Sequence, residues 1–213
     1  MRFRCLLYVA ALCLLLCCAC QDESKKIRLF EDFYYGMSYQ DVLDACDATE
    51  CADRMDSLCR RNPIIFFREI WYQRFNFRRN RLISIDIINL TPAKVAPIIN
   101  GWLDSGRRFV PVLLSSGGKQ LDVFAAMKQA GKEGARRAIW DFYRATSQDL
   151  NTDYLYLDLQ NREDCLDSMN SYTAILRYGP RDLVGVEQIT TDTMCTLTFT
   201  APIAEWQDKG IPQ

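Results

Sequence analysis

Histidine is missing from all 213 residues. That removes the side chain that titrates nearest neutral pH, the usual general base and the commonest metal ligand. Catalysis would have to run on carboxylates or lysine, and no nucleophile motif accompanies them. An excess of charge is also missing: the formal net charge is −1, so no global field draws the chain to nucleic acid. A zinc site without histidine would need four thiolates, yet after residue 20 no paired Cys-x-x-Cys spacing occurs. Neither a cofactor nor a metal is expected.

Long apolar runs are scarce too. The one that exists, residues 6–18, falls short of the roughly 20 residues a membrane-spanning helix needs. It follows Arg2 and Arg4 and ends at Ala19, before the polar stretch from Gln21 to Lys26. A charged start, a short apolar run and a small residue form an export signal. The residues at Ala19-Cys20 resemble a lipobox, although Cys17 and Cys18 stand where Leu and a small residue are usual. The expectation is cleavage before Cys20, acylation of Cys20 and anchoring by lipid without a transmembrane helix. By analogy with envelope sorting, Gln21 directs the protein to the periplasmic face of the outer membrane. The alternative is an unlipidated exported protein.

Export makes disulfides plausible. Five of the ten cysteines lie within the first 20 residues; Cys46, Cys51, Cys59, Cys165 and Cys195 follow. The expected bridges are one among the three early cysteines, Cys51–Cys59 slightly favoured, and Cys165–Cys195. An odd number leaves at least one thiol over.

After a tether over residues 20–32, Gly36 breaks the chain. Ser38 caps a helix with Asp41 three residues on and Val42, Leu43 and Cys46 as its apolar stripe. A second short helix is expected over 51–60, with Met55, Leu58 and Cys59 inward. Asn62-Pro63 ends it. Residues 64–67 then read as extended. Residues 70–77 and 82–90 alternate with period two and flank Arg78-Arg79-Asn80-Arg81, a hairpin turn in which Asn takes an unusual backbone angle. Thr91-Pro92 opens a helix carrying Val95, Ile98, Ile99 and Trp102. A strand over 109–114 precedes a helix over 119–146, broken at Gly131 and Gly134, with Leu121, Phe124, Ala125, Ile139, Trp140 and Tyr143 facing the core. Strands are expected over 154–159, 172–178, 183–190 and 195–201, with a turn at 179–182.

Helices then strands, twice over, is an α+β pattern of helices packed on antiparallel sheet. It also points to two tandem helix-plus-sheet lobes, 33–115 and 116–213, after a signal over 1–19.

Residues 36–43, Gly-Met-Ser-Tyr-Gln-Asp-Val-Leu, and the aromatic run 71–77 followed by Arg81-Leu82-Ile83 resemble the small envelope lipoproteins of the SmpA/OmlA type. The resemblance covers about residues 33–90. It implies the compact helix-pair-plus-sheet architecture shared with β-lactamase-inhibitor-protein-like domains, and a role in outer-membrane assembly or maintenance. The Gly-x-Pro usual after the first helix is missing here.

Residues 115–120, Ser-Ser-Gly-Gly-Lys-Gln, sit where a phosphate loop would. Leu113 replaces its first glycine and Gln120 its Ser or Thr, so a solvated loop and helix start is expected. Asp41, Asp44, Asp47, Glu50, Asp53 and Asp56 lack calcium-loop spacing and read as a solvated acidic face. Arg68, Arg74, Arg78, Arg79 and Arg81 gather around the hairpin with Tyr72, a composition that suits docking to anionic headgroups or a protein. The functional expectation is a non-enzymatic envelope lipoprotein, held to the membrane by its N-terminal lipid and acting through an envelope protein partner. An inhibitor or small-ligand binder is the second reading, a carboxylate hydrolase the third.

Overall fold

The computed structural model describes residues 26–66, 69–89, 109–159, 162 and 164–209. The signal segment, Cys20, Arg68 and the helix expected from Thr91 lie outside the described residues.

The fold is α+β. Strand β1 (Arg28–Phe30) pairs with β2 (Phe33–Tyr34) in a small hairpin. The expected tether therefore ends before residue 28, and Leu29 is fully buried. Helix α1 (Tyr39–Ala45) starts where the capping chemistry places it. The Ser38 hydroxyl accepts from Asp41 N–H at 3.1 Å, and the Asp41 carboxylate accepts from Ser38 N–H at 3.1 Å. Val42 is the helix's buried residue.

The helix expected over 51–60 is instead a second hairpin, β3 (Ala48–Glu50) and β4 (Ser57–Arg60), closed by a Cys51–Cys59 disulfide with Cα atoms 5.1 Å apart. Eight residues of helix would hold those two cysteines about 12 Å apart, beyond a disulfide's reach. Leu58 does point inward, but Met55 sits on the loop and is exposed.

Strands β5 (Ile64–Phe66), β6 (Glu69–Arg78) and β7 (Arg81–Asn89) follow. The β6–β7 turn is the expected one: Arg79 and Asn80 both have positive φ, 52° and 61°, the conformation of a two-residue hairpin whose twist matches its strands. Strand β8 (Phe109–Ser116) turns through Gly117 and Gly118 into β9 (Lys119–Asp122). Residues 115–120 are thus the tip of a β-hairpin, and the helix starts later than expected, at Val123 behind an Asp122 cap.

Helix α2 (Val123–Ala145) is broken at Gly131, where φ is 67° and ψ −177°, but runs through Gly134. Phe124 in its first segment belongs to one apolar cluster, whereas Ile139, Phe142 and Tyr143 in its second pack on another, so the kink carries the helix between them. Trp140, expected inside, is 65% exposed.

Strand β10 (Thr152–Asp158) leads to α3 (Asp164–Ser168) and α4 (Tyr172–Tyr178). The latter segment was expected to be a strand. Its backbone instead begins a helix at Ser171, whose hydroxyl accepts from Ala174 N–H, and Ile175 is its buried residue. The turn at 179–182 therefore joins a helix to β11 (Gly185–Thr190). Strand β12 (Cys195–Thr200) and α5 (Pro202–Asp208), with proline in its first turn, complete the described chain.

One ten-stranded sheet runs through both halves in the order β3-β4-β6-β7-β12-β11-β10-β8-β9, with β5 on β6. The halves do not each have a separate sheet: β12 lies between β7 and β11, and the boundary expected at 115/116 falls inside β8. Alternate residues on one face, among them Trp71, Phe75, Ile85, Ile87, Leu197 and Phe199, form the main core. The β1–β2 hairpin, α1 and the second segment of α2 cover it. On the opposite face, Leu157 meets Ile175 and Ile203 from α4 and α5 in a smaller cluster.

Candidate functional site: the open face of the sheet

The face opposite the main core is covered by helices at one end only. Antiparallel register sets its side chains in rows. One row runs Tyr72–Ile88–Thr196–Ile189–Asp153 across β6, β7, β12, β11 and β10. The next runs Arg74–Asp86–Thr198–Glu187–Leu155.

The second row is a charge ladder that closes at one end and stays open at the other. Arg74 Nε and Nη2 donate to Asp86 Oδ2 at 2.9 and 2.8 Å, and Thr198 donates to Asp86 Oδ1 at 3.0 Å. The exposed Asp53 stands 3.5 Å from Arg74 Nη1. Asp86 is 4% exposed, so its charge is tolerable only because this side of it is matched. Past Thr198 the matching stops. Glu187 and Asp153 lie diagonally across β10 and β11, and neither carboxylate has a hydrogen bond or ion pair among the described residues. Burial, then Asp153 and Asp86, raises the Glu187 carboxyl above its ordinary range. Burial raises Asp153 as well.

The first row is more apolar. Tyr72 and Ile189 are 48% and 39% exposed, and beside Tyr72 the cross-strand pair Ile65–Ile70 is 82% and 63% exposed. Contiguous exposed apolar side chains are a mark of interaction surfaces. Where the sheet meets α4 and α5, a cavity of about 270 Å³ opens beside Glu187, walled by Leu155, Tyr172 and Pro202. Burial, with Glu187 and Glu205 nearby, holds the Tyr172 hydroxyl protonated far above the tyrosine range. Two unmatched carboxylates beside aromatic and aliphatic walls can receive a cationic group with an apolar stem.

The structure places Tyr72, Arg74 and Arg78 on this face, as alternation demanded. Two of the guanidinium groups are already committed: Arg74 to Asp86, and Arg78 to Glu205 of α5 at 3.1 Å. Arg79 and Arg81 stand exposed at the hairpin tip. Asp153 and Glu187 were not singled out from sequence; the signal was there in acidic residues at outward positions of two strands, but only pairing shows that they adjoin.

The Cys165–Cys195 bridge is not formed. Both cysteines are buried free thiols. Cys195 faces the Thr190 end of β11, whereas Cys165 follows the far end of β10 in the other cluster. The length of β10, about 20 Å at 3.4 Å per residue, separates them, and a disulfide needs Cα atoms within about 7 Å. Burial pushes the Cys195 thiol up to about 11. Cys51, Cys59 and Asp53 cluster closely, but the two sulfurs are bonded to each other, which leaves one carboxylate and no metal site there.

No family model, curated protein or solved structure matches the chain.

Proposed function

We propose that the protein is an exported lipoprotein of a bacterial envelope, at the periplasmic face of the outer membrane, that works by holding a basic segment of a protein partner on the open face of its sheet. The observation that carries the docking surface is the unmatched pair Asp153 and Glu187 beside the exposed Tyr72–Ile189 row. A partner's lysine or arginine would match the carboxylates while its apolar neighbours cover the row, the combination interfaces favour. Three things support the setting: the segment ending at Cys20, the Cys51–Cys59 disulfide suited to an oxidising compartment, and the resemblance of residues 33–90 to SmpA/OmlA lipoproteins.

The test is photo-crosslinking in cells from residue analogues at Tyr72 and at Ile189, with Trp140 on the exposed side of α2 as control. One common adduct is expected from the first two positions and not from the third, and Asp153→Lys with Glu187→Lys should abolish it. An adduct insensitive to that charge reversal, or none from either position, would sink the docking surface. Labelling with radioactive palmitate, lost in Cys20→Ser, tests the anchor separately.

A further inference from the structure

A second concave site lies away from the open face, where the described chain enters the fold. It is a half-open cavity of about 480 Å³ between residues 26–27, the β6–β7 hairpin and the end of α5. Its wall holds Lys26, Arg81, Arg181, Asp182 and Asp208. Both carboxylates are already matched. Asp182 is 2.6 Å from Arg162, and Asp208 accepts from Arg181 at 2.8 Å and from the Tyr35 hydroxyl at 3.0 Å. That consumes Arg181 and leaves two cations, Lys26 and Arg81, without an ion pair among the described residues. Lys26 lies over the Tyr34 ring, 5.8 Å from its ammonium, and near enough to Asp41 to help lower its carboxyl, as Arg81 does for Asp208; both cations are exposed. Arg81 also faces Arg78 across the hairpin; Glu205 already matches Arg78, so Arg81 is the one left to take an anion.

We infer that this cavity seats the phosphate of an anionic phospholipid headgroup, with Lys26 and Arg81 as its ligands. The choice of a lipid over a free phosphate rests on the lipoprotein reading and on chain length. Lys26 is six residues from Cys20, a span of at most about 20 Å. An acyl chain on Cys20 would keep the cavity within reach of the bilayer, close enough for the headgroups to enter the short range over which cations feel anionic lipid. Headgroup contact would then fix which way the anchored domain faces and leave the open sheet face turned to its partner.

The experiment uses the mature chain with Cys20→Ser, so that no lipid anchors it, mixed with phosphatidylcholine vesicles with and without phosphatidylglycerol. Sedimentation is expected with the phosphatidylglycerol vesicles alone. Lys26→Gln with Arg81→Gln should weaken it by roughly thirtyfold. Lys128→Gln with Arg137→Gln, which removes the same charge from the exposed side of α2, should leave it nearly unchanged. Undiminished binding by the first double variant, or equal loss in both, overturns the site. Calorimetric binding of inorganic phosphate without any vesicle binding overturns the lipid as its source. Palmitate labelling is read independently: its absence removes the anchor but leaves the vesicle result standing.

Discussion

At the scale of single residues, the open face divides into matched and unmatched charge, and the two halves respond oppositely to change. Asp86 is buried and holds both Arg74 and Thr198. Asp86→Ala leaves Arg74 with only the exposed Asp53, and should cost about 2–3 kcal/mol in urea unfolding, somewhat less than breaking a fully buried pair. Glu187 has the reverse character. Its carboxyl is raised, first by burial, so its ionised form weakens the fold. Stability from Glu187 and Asp153 should therefore rise as pH falls from neutral through their raised values, and be complete below the unfolded carboxylate range near 4. Asp41 and Asp208 act in the opposite sense. Hydrogen bonds from Ser38 lower Asp41; burial opposes ionisation of Asp208, but Arg181 and Tyr35 outweigh it. Their stabilisation is lost as pH falls below the ordinary carboxylate range. Glu187→Gln should thus be more stable than the parent at pH 7 and less sensitive to mild acid, measured by urea midpoints across pH. A midpoint at pH 7 that is unchanged or lower would contradict the assigned strain.

At the scale of elements, what could be read from sequence was what local chemistry decides alone. The Ser38–Asp41 box and the Arg79-Asn80 turn carry their own geometry, and β6 and β7 are long enough for period two to declare itself. The 51–60 segment shows the limit. Its bridge at a spacing of eight was readable, and it contradicts a helix through the same cysteines; taking the bridge first would have yielded the hairpin. Chain-entropy arguments for so short a loop give about 2.5 kcal/mol, so Cys51→Ala with Cys59→Ala, or reduction, should lower unfolding stability by about that much. The 172–178 segment is short and apolar enough to suit either element, and only its Ser171 cap favoured the helix. Gly131 illustrates a different constraint. Its backbone lies in a region almost reserved for glycine, and an added Cβ would meet nothing within 4 Å. Gly131→Ala should therefore cost about 2 kcal/mol through backbone strain alone. A neutral result in thermal melts would show that the helix kinks for another reason.

At the scale of the whole molecule, the sheet order could not be read from sequence, because pairing between distant strands leaves no local signal. Nor could the pairing of Arg74 with Asp86, which depends on a register that shifts by one residue near Asn76–Phe77. The same long-range pairing put Asp153 beside Glu187 and turned a scattered set of acidic residues into a surface. The class was readable; the seam was not. Strand β12 fills the gap between β7 and β11, with Leu197 opposite Ile87 and Gln188, and Phe199 opposite Ile85 and Val186. A chain stopped before Cys195 should lose β12 and leave β7 and β11 each without that partner, exposing two strand edges, so it is expected to aggregate rather than leave one folded half, as gel filtration would show. A soluble, folded monomer from that truncation would mean the halves are independent. The seam also has a direction in time. Every other described strand of the sheet is synthesised before β12, so until β12 emerges the chain holds two unclosed edges. Closure of the sheet is postponed until β12 has emerged, which makes the interval before it the one in which the two edges are open to wrong pairing and a chaperone matters most.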